Sequence, residues 1–302
     1  MYIFSVLLPS ISEKHNHLII ILTINTESLI LKINTMKNTF KWMLAAILIC
    51  GLTVSSCKKE PVEKKTMLVG MTATGFPFYD SVTYSFEYDA NYRIVRSEAH
   101  QTNNHFVIRD LRYTYSEGSI RIEGSIDGAP DNTVCTLDSQ GRITQAEETR
   151  VNDTISVTTH YDFTYDADGH LATIYRIAYG VDSEGSTKTF EWEGDEFKAS
   201  DMEDGAIRIE YETSDVPVQT LFQIFGYEIK FWELCGQGCF GKTPAHMPSK
   251  KTMTTDVGIP SIPPIVMSYN YNYTVDPEGH LATCEESGTT QSLKYVLNWE
   301  ER

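Results

Sequence analysis

From residue 67 onward, apolar and polar side chains change places at every step over a series of short runs. Val82, Tyr84, Phe86 and Tyr88 alternate with Thr83, Ser85 and Glu87. Ile120 and Ile122 alternate with Arg121 and Glu123, and Tyr161, Phe163 and Tyr165 with Asp162 and Thr164. The same holds for Ile207, Ile209 and Tyr211, for Tyr269, Tyr271 and Tyr273, and for Leu293, Tyr295, Leu297 and Trp299. A period of two places one face of a strand in a core and the other in water. The spacing of the runs predicts an all-β, antiparallel meander of about a dozen hairpin-linked strands, barrel-like or a single curved sheet.

A repeated turn separates the runs. Leu137-Asp138-Ser139-Gln140-Gly141-Arg142-Ile143 recurs as Tyr165-Asp166-Ala167-Asp168-Gly169-His170-Leu171 and as Val275-Asp276-Pro277-Glu278-Gly279-His280-Leu281. A degenerate copy, Tyr88 to Ile94, has Tyr92 where the glycine belongs. Asp138, Asp166 and Asp276 suit the opening of a type I turn, and Gly141, Gly169 and Gly279 the left-handed position that begins a bulge. His170 and His280 occupy equivalent positions after the glycine and read as exposed residues at hairpin starts.

One segment breaks the alternation. Between Val216 and Cys235, apolar residues recur every three or four positions, with Asp215 placed to cap and Pro217 tolerated in a first turn. The pattern predicts a short, mostly buried helix, and a helix or loop insertion over residues 216–250. A strand is the alternative, since Tyr227 to Phe231 also alternates.

The chain's beginning carries an address. Residues 36–57 read MKNTFKWMLAAILICGLTVSSC: two lysines, a short apolar stretch, small residues, then Cys57. This order resembles the signal and lipobox of bacterial lipoproteins, in which cleavage precedes the cysteine and the thiol receives a diacylglycerol. The resemblance implies a signal peptide at 36–56, lipidation of Cys57, a charged tether over 57–66, and a β-domain at 67–302 held to a membrane by its acyl chains. Residues 1–35 precede a complete signal and read as an over-extended reading frame with Met36 as initiator. An unusually long leader is the alternative.

The hairpin units resemble the YD-type repeat of large secreted bacterial proteins. The whole layout is similar to a family of bacterial envelope lipoproteins carrying a domain of unknown function with a porin-like fold. That resemblance implies a strand meander curling toward a barrel, an outer-membrane anchor and no established activity, and Tyr92 departs from its turn pattern.

Charge and candidate chemistry narrow the functional classes. Acidic residues number 41 against 25 basic. Four lysines and two glutamates fall in the first 57 residues, which leaves the remainder near −18. Such a surface repels phosphate backbones, so a nucleic-acid partner is not expected. Gly236 to Thr243 matches both G-x-x-x-x-G-K-[ST] and G-x-G-x-x-G, yet Pro244 and Pro248 oppose the helix a phosphate cradle needs, so neither nucleotide nor any other cofactor is expected. Cys235 and Cys239 are a candidate disulfide in an exported chain, with two free thiols the alternative. His246 alone in that loop makes a weak metal set. The sequence thus points to a non-enzymatic binding or interaction module for a glycan or protein ligand, with a glycan-acting hydrolase and a YD-type scaffold as alternatives.

Overall fold

The computed structural model describes residues 64–75, 81–103, 106–152, 155–180, 184–202, 205–219, 229–259, 261–288 and 292–302. Cys57, its signal and most of its tether lie outside them. Sixteen strands follow one another. The first eight are β1 (Thr66–Thr74), β2 (Ser81–Tyr88), β3 (Ile94–Gln101), β4 (Val107–Ser116), β5 (Ser119–Ile126), β6 (Ala129–Leu137), β7 (Ile143–Asn152) and β8 (Ile155–Tyr165). The rest are β9 (Leu171–Tyr179), β10 (Ser186–Glu193), β11 (Glu196–Met202), β12 (Ile207–Pro217), β13 (His246–Thr255), β14 (Ile265–Val275), β15 (Leu281–Gly288) and β16 (Ser292–Glu301). Each pairs antiparallel with its sequence neighbour, and β1 pairs with β16, so the meander closes into a barrel without a free edge.

The expected count of about a dozen strands was short because several inward faces carry small or polar residues. On β3 the inward positions include Ser97 and Ala99, on β7 Ala146 and Glu148, on β11 Ser200. Alternation of apolar residues is absent where the interior is not apolar, so those strands were silent.

The wall has a greasy inside and a charged outside. On β16, Leu293, Tyr295 and Leu297 are buried while Lys294, Val296 and Asn298 are exposed. On β10, Lys188 and Phe190 are buried, and Thr187, Thr189 and Glu191 face water. Ion pairs tie the outer faces: Arg208 to Glu191 at 2.9 Å and Asp201 at 2.7 Å, Arg96 to Asp110 at 2.9 Å, Lys250 to Glu212 at 2.7 Å.

The repeated turn is a larger device than its Asp-x-x-Gly core. The glycine N–H donates to the aspartate carbonyl at 3.0 Å in Gly141 and Gly279 and 3.2 Å in Gly169. Those glycines hold φ of 81°, 90° and 92°, and Tyr92 adopts 61° in the degenerate copy. The aspartate side chain takes the backbone N–H of the fifth residue, at 2.9 Å from Arg142 and His170 and 2.7 Å from His280. That fifth residue returns a side-chain contact to the same carboxylate: Arg93, Arg142, His170 and His280 lie 2.7, 2.7, 3.1 and 3.2 Å away. Each then rests on a ring from the strand after next. Arg93 lies over Tyr115 at 4.4 Å and Arg142 over Tyr165 at 4.3 Å, while His170 stacks on Trp192 at 4.5 Å and His280 on Trp299 at 5.6 Å. The ring's own donor closes the circuit on the carbonyl of the next residue, Ile94, Ile143, Leu171 or Leu281, at 2.6–2.9 Å.

This corrects the expected exposure of the two histidines. His170 is 1% exposed and bonds Asp166 and Asp195 through its two ring nitrogens, and His280 is half-buried against Trp299. The register shift between Thr164 and Tyr165 turns the residue after the glycine toward the barrel's end instead of outward into solvent.

Two expected results follow from the turn. Gly279→Ala meets no atom within 4 Å of the added methyl, so the loss, about 1 kcal/mol, comes from left-handed backbone alone; chemical denaturation measures it. For Asp89, Asp138 and Asp166, burial works against the charge, and the hydrogen bonds from the turn N–H groups and the adjacent cation outweigh it, so all three carboxyls titrate below their ordinary value. Their contribution is therefore present above the ordinary carboxylate pKa and is lost as pH falls through the lowered one. The thermal midpoint is expected to fall steeply below about pH 4.

Candidate functional site: the plugged lumen

A barrel of sixteen strands is too wide for wall side chains alone to fill. Here the connection between β12 and β13 turns inward as a plug. It enters at the end where Lys65 and Arg302 exchange backbone hydrogen bonds at 3.0 and 3.1 Å, the end that also carries the four repeated turns. Ile229, Phe231, Leu234, Cys235, Cys239 and Phe240 are buried within the core formed by the inner wall. Phe231 meets Tyr161 edge-on at 6.1 Å, Trp232 meets Phe86 at 6.1 Å, and Phe240 meets Phe163 at 5.5 Å. The plug thus spans from β2 to β8.

The described part of the plug is a 3₁₀ turn, Trp232–Gln237, ended by Gly238 at φ 73°. The helix expected between Val216 and Cys235 falls in large part on residues 220–228, which lie outside the described residues; on either side of that gap, β12 continues to Pro217 and the tight turn Trp232–Gln237 follows.

Charged groups fasten the plug. Glu233 accepts from Ser97 on β3 at 2.7 Å, and from Arg109 at 2.7 Å and Tyr113 at 3.1 Å on β4. Burial disfavours the Arg109 charge, but the facing Glu233 carboxylate outweighs it and raises the guanidinium pKa. Arg109 also bonds the Lys230 carbonyl, and Lys230 Nζ bonds Glu148 on β7. Tyr161 donates to the other Glu148 oxygen at 3.1 Å. Asp131 on β6 lies beside this set, 4% exposed, accepting from Thr133 at 3.3 Å.

On the other side of this charged layer from the turns, the lumen is wet. Arg176 stands opposite Tyr161 in the β8–β9 register and bonds its hydroxyl, so it shares the inward face, yet it is exposed, as is Ser186 across from it on β10. Inward-facing Lys251, Tyr269 and Glu286 continue the polar lining on β13 to β15. At the turn end a cleft of about 180 Å³ opens between plug and wall, bordered by Tyr88, Trp232, Trp299, Gln219 and Gln237.

The glycine motif is the plug's splice to the wall. The N–H groups of Gly238, Cys239 and Gly241 donate to Cys235, Leu234 and Gly238 carbonyls, and that of Lys242 to Gly169, at 2.9–3.3 Å. Those four N–H groups of the motif are thus bound within the chain, and β13 follows instead of a helix. Lys242 Nζ pairs with Asp195 at 3.4 Å, and His246 with Glu196 at 2.6 Å.

Cys235 and Cys239 both stand as buried thiols. The two lie on opposite ends of the tight turn at Gly238, each packed into the core, and burial pushes the Cys239 thiol up to about 11. Such thiols are poor nucleophiles. Asp166, Asp168 and His170 bring donor atoms within 4.8 Å of one another. Asp166 already gives one oxygen to the turn backbone and the other to His170, so this set is accounted for by the hairpin.

The turn residues marked in the sequence stand at the barrel's end and Cys235 and Cys239 in the plug, Cys57 lies outside the described residues, and the lumenal charges, Arg109, Asp131, Glu148, Arg176, Lys230 and Glu233, escaped the sequence reading. One signal was available for the turn device: a cation or histidine follows the glycine position in all four copies.

No protein-family profile and no curated protein matches this sequence. Solved structures that share the fold include two porin-like proteins. A porin-like protein from Bacteroides uniformis superposes with a TM-score of 0.53 at 16% identity, over 76% of this chain and 96% of that one. A porin-like protein from Bacteroides vulgatus gives 0.55 at 11% identity, over 78% and 99%. The similarity is one of architecture: a closed antiparallel barrel.

Proposed function

We propose that this chain is a lipid-anchored protein of a bacterial envelope whose barrel stands in water and serves as a non-enzymatic binding cup. The observation that carries the reading is the direction of the wall's alternation. A barrel that crosses a bilayer turns an apolar band outward and a polar face to its lumen. In this one the outward positions bear ion pairs such as Arg208–Glu191 and Lys294–Glu285, and the large apolar residues point in. The plug closes one end, and Arg176, Ser186, Lys251 and Tyr269 line the interior beyond it with polar, ligand-facing groups. The porin-like neighbours and the signal-like segment ending at Cys57 support an envelope location.

A hydrolase reading gains nothing from the lumen. Asp131 and Glu148 are paired inward carboxyls, diagonal neighbours on β6 and β7, but they are only 4% and 1% exposed. A glycosidase pair stands about 5–9.5 Å apart, with a sugar and water between.

Detergent phase partition of the full chain, expressed with its own leader, tests the proposal. The wild type is expected in the detergent phase and Cys57→Ala in the aqueous phase. Cys57→Ala that remains membrane-embedded, or ion conduction by the purified chain across a planar bilayer, would overturn it.

A further inference from the structure

We propose that Asp131 and Glu148 share a single proton, and that this proton lets Lys230 fasten the plug to the barrel wall. The inference goes beyond the anchored-cup reading, since it uses only contacts inside the lumen. Asp131 Oδ1 takes the Thr133 hydroxyl, while its Oδ2 is buried and has no donor among the described residues. Diagonally across the β6–β7 pair stands the Glu148 carboxyl, the charge that acts most strongly on Asp131 and an acceptor already engaged by Lys230 Nζ and the Tyr161 hydroxyl. Two neighbouring buried carboxylates repel unless one of them holds a proton that it can give to the other. With one proton, the set is neutral: a carboxylic acid, a carboxylate and an ammonium. Without it, one negative charge stands uncompensated in a buried space, which is costly.

The surrounding charges do not supply that compensation. Arg150 stands across from Asp131 on β7 but is held by the Ile126 carbonyl at 2.9 Å and by Asp127 at 3.5 Å. Arg176 on β9 is engaged by the Tyr161 hydroxyl. On β5 the residue opposite Asp131 is Gly124, which carries no charge. Arg109 on β4 reaches the plug at the Lys230 carbonyl and at Glu233, not at Asp131. Burial and the Glu148 charge push the Asp131 carboxyl up to about 6, against the pull of Lys230 and Thr133. A carboxyl raised in the folded state stabilises when protonated, so its contribution is full at acidic pH and is lost as pH rises through about 6. The plug is therefore fastened in acid and loosened toward neutrality, the reverse of the turn aspartates. A loosened plug lets water reach the lumen floor and exposes Cys235 and Cys239, its own buried thiols.

Those thiols report the latch. The full chain is treated with N-ethylmaleimide between about pH 5 and about pH 7.5, and labelling is quantified peptide by peptide. Buried Cys284 on the wall serves as reference for the reagent's own pH dependence. Labelling of Cys235 and Cys239 relative to Cys284 is expected to rise about tenfold across the range. In Asp131→Asn the amide donates to Glu148 at every pH, so the ratio is expected to stay low and flat. In Lys230→Met the fastening is gone, and the ratio is expected to be high even in acid, which keeps the test decisive if the asparagine variant does not fold. A flat wild-type ratio, or an equal rise in Asp131→Asn, overturns the proposal. Suppression of the wild-type rise by millimolar calcium would overturn it too, by showing that a metal ion and not a proton occupies the pair.

Discussion

Glu233→Ala is expected to lower the unfolding free energy by about 3–5 kcal/mol, the largest single-residue effect in the plug. The reason is what the substitution leaves behind. Arg109 is 8% exposed, and its guanidinium faces Glu233 at 2.7 Å in a layer shared with Ser97 and Tyr113. Removing the carboxylate strands a buried cation and two hydroxyl donors. Glu233→Gln keeps acceptor and shape and loses less. The double variant Arg109→Met with Glu233→Leu is expected to recover most of the loss, because the buried pair's desolvation offsets much of its attraction. Urea denaturation followed by tryptophan fluorescence reads all three. A loss below about 0.5 kcal/mol in Glu233→Ala, the range of an ordinary surface change, would show that the plug does not seat as described.

Gly241→Ala is expected to cost about 2–5 kcal/mol, whereas Lys242→Ala next to it is expected to be nearly neutral. Gly241 holds φ of 80°, and a methyl there would stand 2.3 Å from the Gly169 carbonyl oxygen and 3.0 Å from the Tyr165 ring. That oxygen already accepts the Lys242 N–H at 2.9 Å, so neither partner can retreat without breaking the splice. The Lys242 side chain is half exposed and pairs only with an exposed Asp195. A nucleotide loop would invert the order, since its lysine carries the phosphate contact. Denaturation midpoints of the two variants, with MgATP titration calorimetry of the wild type, separate the readings. A large loss in Lys242→Ala together with saturable nucleotide binding would sink the structural account of this motif.

The acid sensitivity of the turn aspartates and the opposite behaviour of Asp131 share one origin. A carboxylate surrounded by N–H donors is easier to ionise, and one set against another carboxylate is harder. Asp166 and Asp131 illustrate the two cases within one chain.

How much of this was written in the sequence follows from range. Alternation in β2, β5, β8, β14 and β16 fixes strands with one buried face, because a period of two is a local property of the pleat. The Asp-x-x-Gly turns are local too: an aspartate, a glycine at positive φ and a fifth residue close their bonds within five positions. Antiparallel order then follows from tight hairpins, which parallel strands cannot use. Beyond that reach only the tertiary structure decides. Closure of β1 on β16 joins residues more than two hundred positions apart, and no local pattern encodes it. The enclosure of residues 229–241 by the inner wall is likewise set by no local pattern. It also turns Glu233 and Glu148, ordinary surface residues in one dimension, into buried partners of Arg109 and Lys230. His170 was misplaced for the same reason: its cover, Trp192 and Asp195, comes from the strand after next and the turn beyond it. Local chemistry set the strands and their turns, and the burial of charge, on which the candidate site depends, arose only when the barrel closed around its plug.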